Sequence, residues 1–197
     1  MRKSNTNLEE KIKERTLMLL ETKEPYEIGM RDIAEVCGVS ATSIYLYYKD
    51  KNDLFHKISQ ECLVQLEELM MNQTKAESDS VKMISVALKI FRDWCFANPR
   101  KAMLIMGKFK ADEQAPKEEI DKYYVCNRMG KLLLDKCVSE NQLKSENTLM
   151  DTNVLIYGLW GCVESVLQKR SDIELWSRQV EYTDRFIEIM LKGLDGE

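Results

Sequence analysis

Between Met30 and Tyr48 the chain reads MRDIAEVCGVSATSIYLYY, and this stretch restricts the possible folds more than any other. Ala34 is small, Gly38 follows four residues later, and apolar residues stand one and six positions beyond that glycine, at Val39 and Ile44. Two short helices crossing at a steep angle need this arrangement. A small side chain lets the second helix pass close over the first, and a residue without Cβ lets the turn take a left-handed backbone. Ile33, Cys37, Val39, Ile44 and Tyr47 or Tyr48 then fill the wedge between them. Plain packing of two core helices produces the same pattern, so spacing alone leaves both readings open.

The surroundings are also helical. With 3 Pro and 8 Gly in 197 residues, the chain lacks the punctuation that many short strands require. Thr6 with Glu9 forms a capping box before Leu8, Ile12, Leu19 and Leu20, which predicts a first helix to about Lys23. Met30–Cys37 is a second helix, Ser40 caps a third over Ala41–Tyr47, and Asp50 with Asp53 starts a fourth that runs to about Met71. The polar run NQTKAESDS (72–80) is the clearest break. Beyond it the spacing predicts helices at 81–97, from an Asn98 cap with Pro99, at 116–140, at 147–169, and from a Ser171–Glu174 capping box to Gly193. The expected fold is all-α with about nine helices. A helix-turn-helix domain at 1–57 is joined by a long helix to a larger helical domain at 58–197.

Net charge is −4. Residues 1–57 carry ten Lys/Arg against ten Asp/Glu, so the acidic excess lies wholly C-terminal. A grip on phosphate would have to come from local placement of cations, not from a general basic field. The longest apolar run, 154–163, is about half of what spans a bilayer, and the N-terminus MRKSNTN is polar, so a cytoplasmic protein without membrane contact is expected. Six cysteines at 37, 62, 95, 126, 137 and 162 form no CxxC motif, so no metal site is expected and the thiols are read as reduced and mostly buried. Cys126 and Cys137 share a helix face, but three turns hold them about 16 Å apart, too far for a disulfide. His56 is the only histidine, and neither a Gly-rich phosphate loop nor a Ser-His or Cys-His pair can be placed. That argues against an enzyme and implies no cofactor.

The stretch from about Leu8 to Leu63 resembles the DNA-binding domain of the TetR family. The resemblance rests on IAEVCGVSATSIYLYYKDKNDLF: the IA pair, a small residue with GVS, Tyr45 followed by the aromatic pair Tyr47–Tyr48, Lys51, and Leu54–Phe55. It implies that the third helix enters the major groove, where Ala41, Thr42 and Ser43 behind Ser40 face base edges. Tyr45 and Tyr47 would reach phosphates, Lys51 would add its ammonium to the positive end of the fourth helix, and Arg31 and Lys49 would contact the backbone or a base. Family members usually carry Thr or Ser where Gly29–Met30 stand. The expected partner is a palindromic double-stranded DNA site, bound by a homodimer.

The larger domain resembles the family's regulatory domain. FANPRKAMLIMGKF and YGLWGCVESVL resemble a subclass with a Trp-x-x-x-His-Gly motif, of which Trp160 is retained while Glu164 and Ser165 stand in place of the last pair. Phe91, Trp94, Met103, Met106, Phe109, Tyr123, Cys126 and Trp160 are the aromatic and soft side chains expected to line an apolar effector pocket. Glu164, on a largely apolar helix, would select a cation, pair with another helix, or face solvent. Small residues at Tyr157–Ser165 and an apolar stripe at Phe186, Ile189, Met190 and Leu194 mark the eighth and ninth helices as the expected dimer surface, or as packing within one subunit. The resemblance implies a repressor in which a small molecule of unknown identity shifts helix six and, through helix four, moves the recognition helices. The competing reading is a helix-turn-helix protein that organises DNA or recruits a partner without any small effector.

Overall fold

A computed structural model describes residues 3–107 and 116–195, and every regular element among them is an α-helix. These are α1 (Lys3–Thr22), α2 (Met30–Cys37), α3 (Ala41–Tyr45), α4 (Lys51–Thr74), α5 (Ser80–Ala97), α6 (Pro99–Ile105), α7 (Lys117–Tyr123), α8 (Val125–Ser139), α9 (Thr148–Leu167), α10 (Ile173–Trp176) and α11 (Gln179–Asp195). No helix among the described residues is long and apolar enough to cross a membrane.

The chain divides into two compact units. The first takes in α1 to α3, α4 as far as Cys62, and α6 from Arg100. Its buried residues include Ile12 and Leu20 of α1, Ile33 and Cys37 of α2, Ile44 of α3, and Leu54, Phe55 and Ile58 of α4. Tyr48 joins them at 1% exposure, with its hydroxyl buried and unpartnered and its ring under the Lys57 ammonium at 5.0 Å. Burial pushes the Tyr48 phenol well above its ordinary range, and the neighbouring Glu9, Glu61 and Asp53 carboxylates push it the same way. Lys13 and Glu61 tie α1 to α4 at 2.5 Å, and Arg100 of α6 pairs with Glu24.

The second unit holds α4 from Leu63, α5, and α7 to α11. α5, α8, α9 and α11 pack on one another, with α9 contributing the buried Leu155, Ile156, Leu159, Trp160, Val163 and Val166. α9 and α11 approach closely because Gly158 stands opposite Phe186; a Cβ at 158 would lie 2.5 Å from the ring. One buried cation bridges α5 to α11. Arg92, only 4% exposed, donates to Asp93 at 2.7 Å, to Asp184 of α11, and to Thr183 Oγ1 at 3.4 Å. Burial alone would lower its pKa, but the two carboxylates outweigh that and hold it above the ordinary value.

Several boundaries differ from the sequence reading, each for a local reason. α1 takes in Lys3–Thr22, so Thr6 lies within the helix and not ahead of it. The 116–140 segment breaks into α7 and α8 at Tyr124, whose N–H bonds Asp121 O in the tighter i to i+3 pattern. The last segment likewise splits into α10 and α11, where Leu175 and Arg178 make i to i+3 bonds. The cap there is Asp172, which accepts from Glu174 N at 3.0 Å, while the Ser171 carbonyl takes the Trp176 indole N–H. Asn98 turns its amide back to Trp94 O at 3.0 Å and so closes α5. α3 ends at Tyr45, two residues early, with Leu46 as its C-cap.

Two substitutions test this packing. Arg92→Ala is expected to cost about 2–3 kcal/mol in urea unfolding, the low end for breaking a buried ion pair because Asp93 and Asp184 keep access to water; a loss under about 0.5 kcal/mol would show that the bridge is not structural. Tyr48→Phe should be neutral or stabilise by up to about 1 kcal/mol, since it removes an unpaired buried hydroxyl and keeps the ring under Lys57. A clear drop in the melting temperature of that variant would reveal an unseen partner for the hydroxyl.

Candidate functional site

The α2–α3 turn positions the first candidate site. Gly38 takes φ 67°, ψ 34°, a conformation that L side chains rarely adopt, and its N–H points back to the carbonyls of Ala34 and Glu35. Val39 N bonds Ala34 O at 3.0 Å, which closes the turn. Ser40 then caps α3: its hydroxyl accepts from Ser43 N at 3.2 Å and lies 2.9 Å from the Ser43 hydroxyl. At the start of α2, Gly29 is the N-cap, and its N–H donates to Asp32 Oδ2 at 2.7 Å. That bond, followed by Lys23 at 3.6 Å, holds the Asp32 carboxyl below its usual range.

With Ile44 buried beneath it, α3 turns Thr42 and Tyr45 to solvent at i, i+3 spacing on one face. Arg31, Ser40 and Lys49 are also exposed, and Ala41, Ser43, Tyr47 and Lys51 are half-buried. All nine residues expected to meet DNA therefore belong to one unit and reach its surface. Besides Ser40 and Ser43, three of them carry structural bonds as well. Lys51 Nζ donates to Pro25 O at 3.1 Å and lies 5.8 Å from the Phe55 ring centre, while the Tyr47 carbonyl accepts from Lys57 Nζ at 3.5 Å. The Lys49 N–H donates to Asp53 Oδ2 at 2.8 Å, next to the cap that Asp50 provides for Asp53 N at 2.9 Å. Sequence reasoning passed over Leu46, which is 80% exposed, because it extended α3 to Tyr47; the early end of the helix turns this leucine outward.

The second unit contains an apolar cavity of about 40 Å³. α5 contributes Ile84, Ala87, Leu88 and Phe91 to its wall, and α8 contributes Cys126, Met129, Gly130 and Leu133. Thr152, Leu155 and Ile156 of α9 and Met70 of α4 complete it. Of the residues expected to line an effector pocket, Phe91 and Cys126 stand on this wall. Trp94, Tyr123, Trp160 and Glu164 belong to the same unit but lie elsewhere, Trp160 as buried core and Glu164 half-buried with Oε1 accepting from Gln168 at 2.8 Å. Met103 and Met106 fall in the first unit, and Phe109 lies outside the described residues. Most wall residues missed by sequence are aliphatic or thioether side chains with helical periodicity, which nothing in the sequence separates from ordinary core; Thr152 is the exception, a hydroxyl among apolar neighbours.

Five of the six cysteines are buried, and all are free thiols. Burial pushes Cys126 to about 12 and Cys137 to about 11, so both remain protonated and unreactive near neutral pH. On the far side of α9, Met150, Val154 and Tyr157 are exposed, and a Cβ built on Gly161 meets nothing within 4 Å. On α11, Ile189 is 53% exposed. The small residues of α9 therefore divide: Gly158 faces Phe186 within the chain, whereas Gly161 opens outward.

Comparison with known proteins bears on both sites. Residues 12–58 match the family described as bacterial regulatory proteins, tetR family. No curated protein sequence matches the chain. Similar solved structures include a tetR-family transcriptional regulator from Pectobacterium atrosepticum (TM-score 0.75, 11% identity, covering 100% of this chain and 98% of that one). The fatty acid degradation regulator FadR from Bacillus halodurans is also similar (TM-score 0.74, 15% identity, 94% and 98%). A third is the transcriptional regulator FadR from Bacillus subtilis, in complex with stearoyl-CoA (TM-score 0.73, 15% identity, 93% and 98%). Residues 12–58 therefore carry the sequence signature of the tetR family of bacterial regulatory proteins, and the fold of the whole chain is the one seen in tetR-family transcriptional regulators.

Proposed function

We propose that this regulator is a homodimeric repressor that grips a palindromic DNA site with two copies of α3 and is released by an apolar ligand taken up in its second unit. The observation that carries the DNA reading is the exposed face of α3, held on a buried wedge by the Gly38 turn. Thr42 and Ser43 offer hydroxyls and Ala41 a methyl to base edges. Tyr45, Tyr47, Arg31 and Lys49 reach the sugar-phosphate backbone, with Ser40 at the helix start. Lys51 has three ammonium donors, so its bond to Pro25 leaves it able to meet a phosphate at the N-terminus of α4.

The exposed α9 stripe and Ile189 of α11 supply an apolar face for self-association, and one small helix-turn-helix reads too few base pairs alone. One similar structure is a fatty acid degradation regulator and another a transcriptional regulator in complex with stearoyl-CoA, which favours an aliphatic ligand. Met70 offers a route for coupling. It stands on the cavity wall and on α4, the helix that begins at Lys51, so a ligand that displaces it biases the two-state dimer through α4. One observation favours the reading without an effector: 40 Å³ is far below the several hundred Å³ typical of ligand pockets, so binding requires the wall to give way.

Selection of duplexes from a random pool by the purified full chain should recover a palindrome with a steep salt dependence. Against that site, Lys51→Ala should weaken binding to all sequences alike and lower the salt slope by about one, whereas Thr42→Ala should change preference at particular base pairs by about 1–3 kcal/mol. Equal behaviour of the two variants would remove the assigned roles, and an absence of enrichment would remove the DNA reading. For the dimer, Gly161→Arg should yield helical monomers in sedimentation that no longer select a palindrome. An unchanged dimer would move the interface off α9.

A further inference from the structure

The cavity of the second unit has a shape and one polar feature that specify its occupant more closely than "apolar". On α5 the wall runs from Ile84 to Phe91 and on α8 from Cys126 to Leu133, seven residues each, or about 10 Å of helix. A volume of 40 Å³ is narrow for that length, and because the wall must give way to admit a ligand, an unbranched hydrocarbon chain asks for the least displacement. α8 and α9 pinch the slot at Gly130, where a Cβ would meet Thr152 Cγ2 at 2.9 Å and Ile156 Cδ1 at 3.4 Å. Met70 and Met129 flank the slot, and their unbranched thioethers repack around an entering chain with little loss.

Thr152 is the polar feature. It is 1% exposed, stands on the wall, and its Oγ1 makes no hydrogen bond to any protein group, although a helical threonine can usually bond the carbonyl a turn before it. Among the described residues lining the slot it alone carries a side-chain oxygen. A buried hydroxyl left unpaired is costly, and valine would fill the same space without that cost. A water molecule is a poor partner here, since buried waters are held by about three polar groups and this wall supplies one strong one.

We infer that the slot binds an unbranched aliphatic molecule carrying one carbonyl or hydroxyl oxygen, which pairs with Thr152 Oγ1. The inference rests on the second unit being an effector domain, and it adds the ligand's shape, its single oxygen and the residue that recognises it. A plain alkyl chain leaves Thr152 unpaired and binds more weakly. A branched or bicyclic molecule would need a larger displacement at the Gly130 pinch and binds more weakly.

The test uses the full-length protein with its methionine methyl groups labelled with carbon-13, titrated with 2-decanone and with n-decane while the methyl spectrum is followed. Both compounds should shift the Met70 and Met129 resonances, with the ketone binding about tenfold more tightly, the difference one hydrogen bond makes. In Thr152→Val that preference should collapse to about one while decane binding holds or improves. Gly130→Ala should weaken both ligands. No shift at Met70 and Met129, or a ketone preference that survives in Thr152→Val, would overturn the inference. Operator affinity measured in the same samples separates the two ideas: ligand bound in the slot without change in DNA binding leaves the site standing and sinks the ligand-responsive reading.

Discussion

The left-handed turn at Gly38 is the constraint on which the DNA-binding surface depends. α3 is five residues long, far too short to be helical in isolation. Its direction and persistence come from outside it. The Gly38 N–H returns to α2, Ser40 caps the first turn, Ile44 and Tyr48 anchor the underside, and Asp50 starts α4 directly after. A side chain at position 38 would strain this backbone even though nothing lies within 4 Å of the site, so the glycine is required for conformation and not for space. Because the scaffold holds α3, its outward residues are free to be chosen for what they meet.

The second unit combines a fixed part with a yielding one. Arg92, buried between α5 and α11 and bonded to Asp93, Asp184 and Thr183, resists sliding, because any movement would strand a charge away from water. The other face of α5 meets α8 and α9 through aliphatic and thioether groups around the slot, where contacts are non-directional and side chains can repack. An occupant of the slot can therefore displace α8, α9 or Met70 of α4 more readily than it can separate α5 from α11. Direction is built into such a response by the difference between a hydrogen-bonded ion cluster and a soft apolar wall.

Legibility in the sequence followed the strength of local rules. The turn at Gly38, the Ser40 and Asp50 caps and the buried face of α2 follow from spacing and side-chain chemistry, and the structure places them there; on α4 the expected inward Leu69 is exposed and the adjacent Met70 is buried instead. Capping failed by one residue at Ser171, since the adjacent Asp172 competes for the same N–H groups and a carboxylate accepts more strongly than a hydroxyl. Asn98 was ambiguous for a related reason: its amide can serve the helix before it as well as the one after. The cavity was the least legible feature. Phe91 and Cys126 stand out by type, but Ile84, Leu88 and Ile156 read as core whether or not a void lies beside them. Thr152 carried a signal, a hydroxyl among Leu155, Ile156 and Leu159, but its lack of a partner can be seen only in three dimensions.

Charge shows how a chain of net −4 can hold DNA. The first unit has as many acids as bases up to residue 57, yet many of its carboxylates are committed to its own fold. Asp32 serves the start of α2 and pairs with Lys23, Asp50 and Asp53 serve the start of α4, Glu27 accepts from Glu24 N, and Glu24 pairs with Arg100. Asp32, Asp50 and Asp53 sit at helix N-termini, where the partial positive charge of the helix offsets theirs. Arg31 and Lys49, by contrast, are exposed at the two ends of the helix-turn-helix. At physiological ionic strength fields fade within about 8 Å, so what a phosphate meets is this local arrangement and not the sum over the chain. Net charge is then a poor guide to nucleic-acid binding whenever acidic residues are spent on helix caps and the bases are left to solvent.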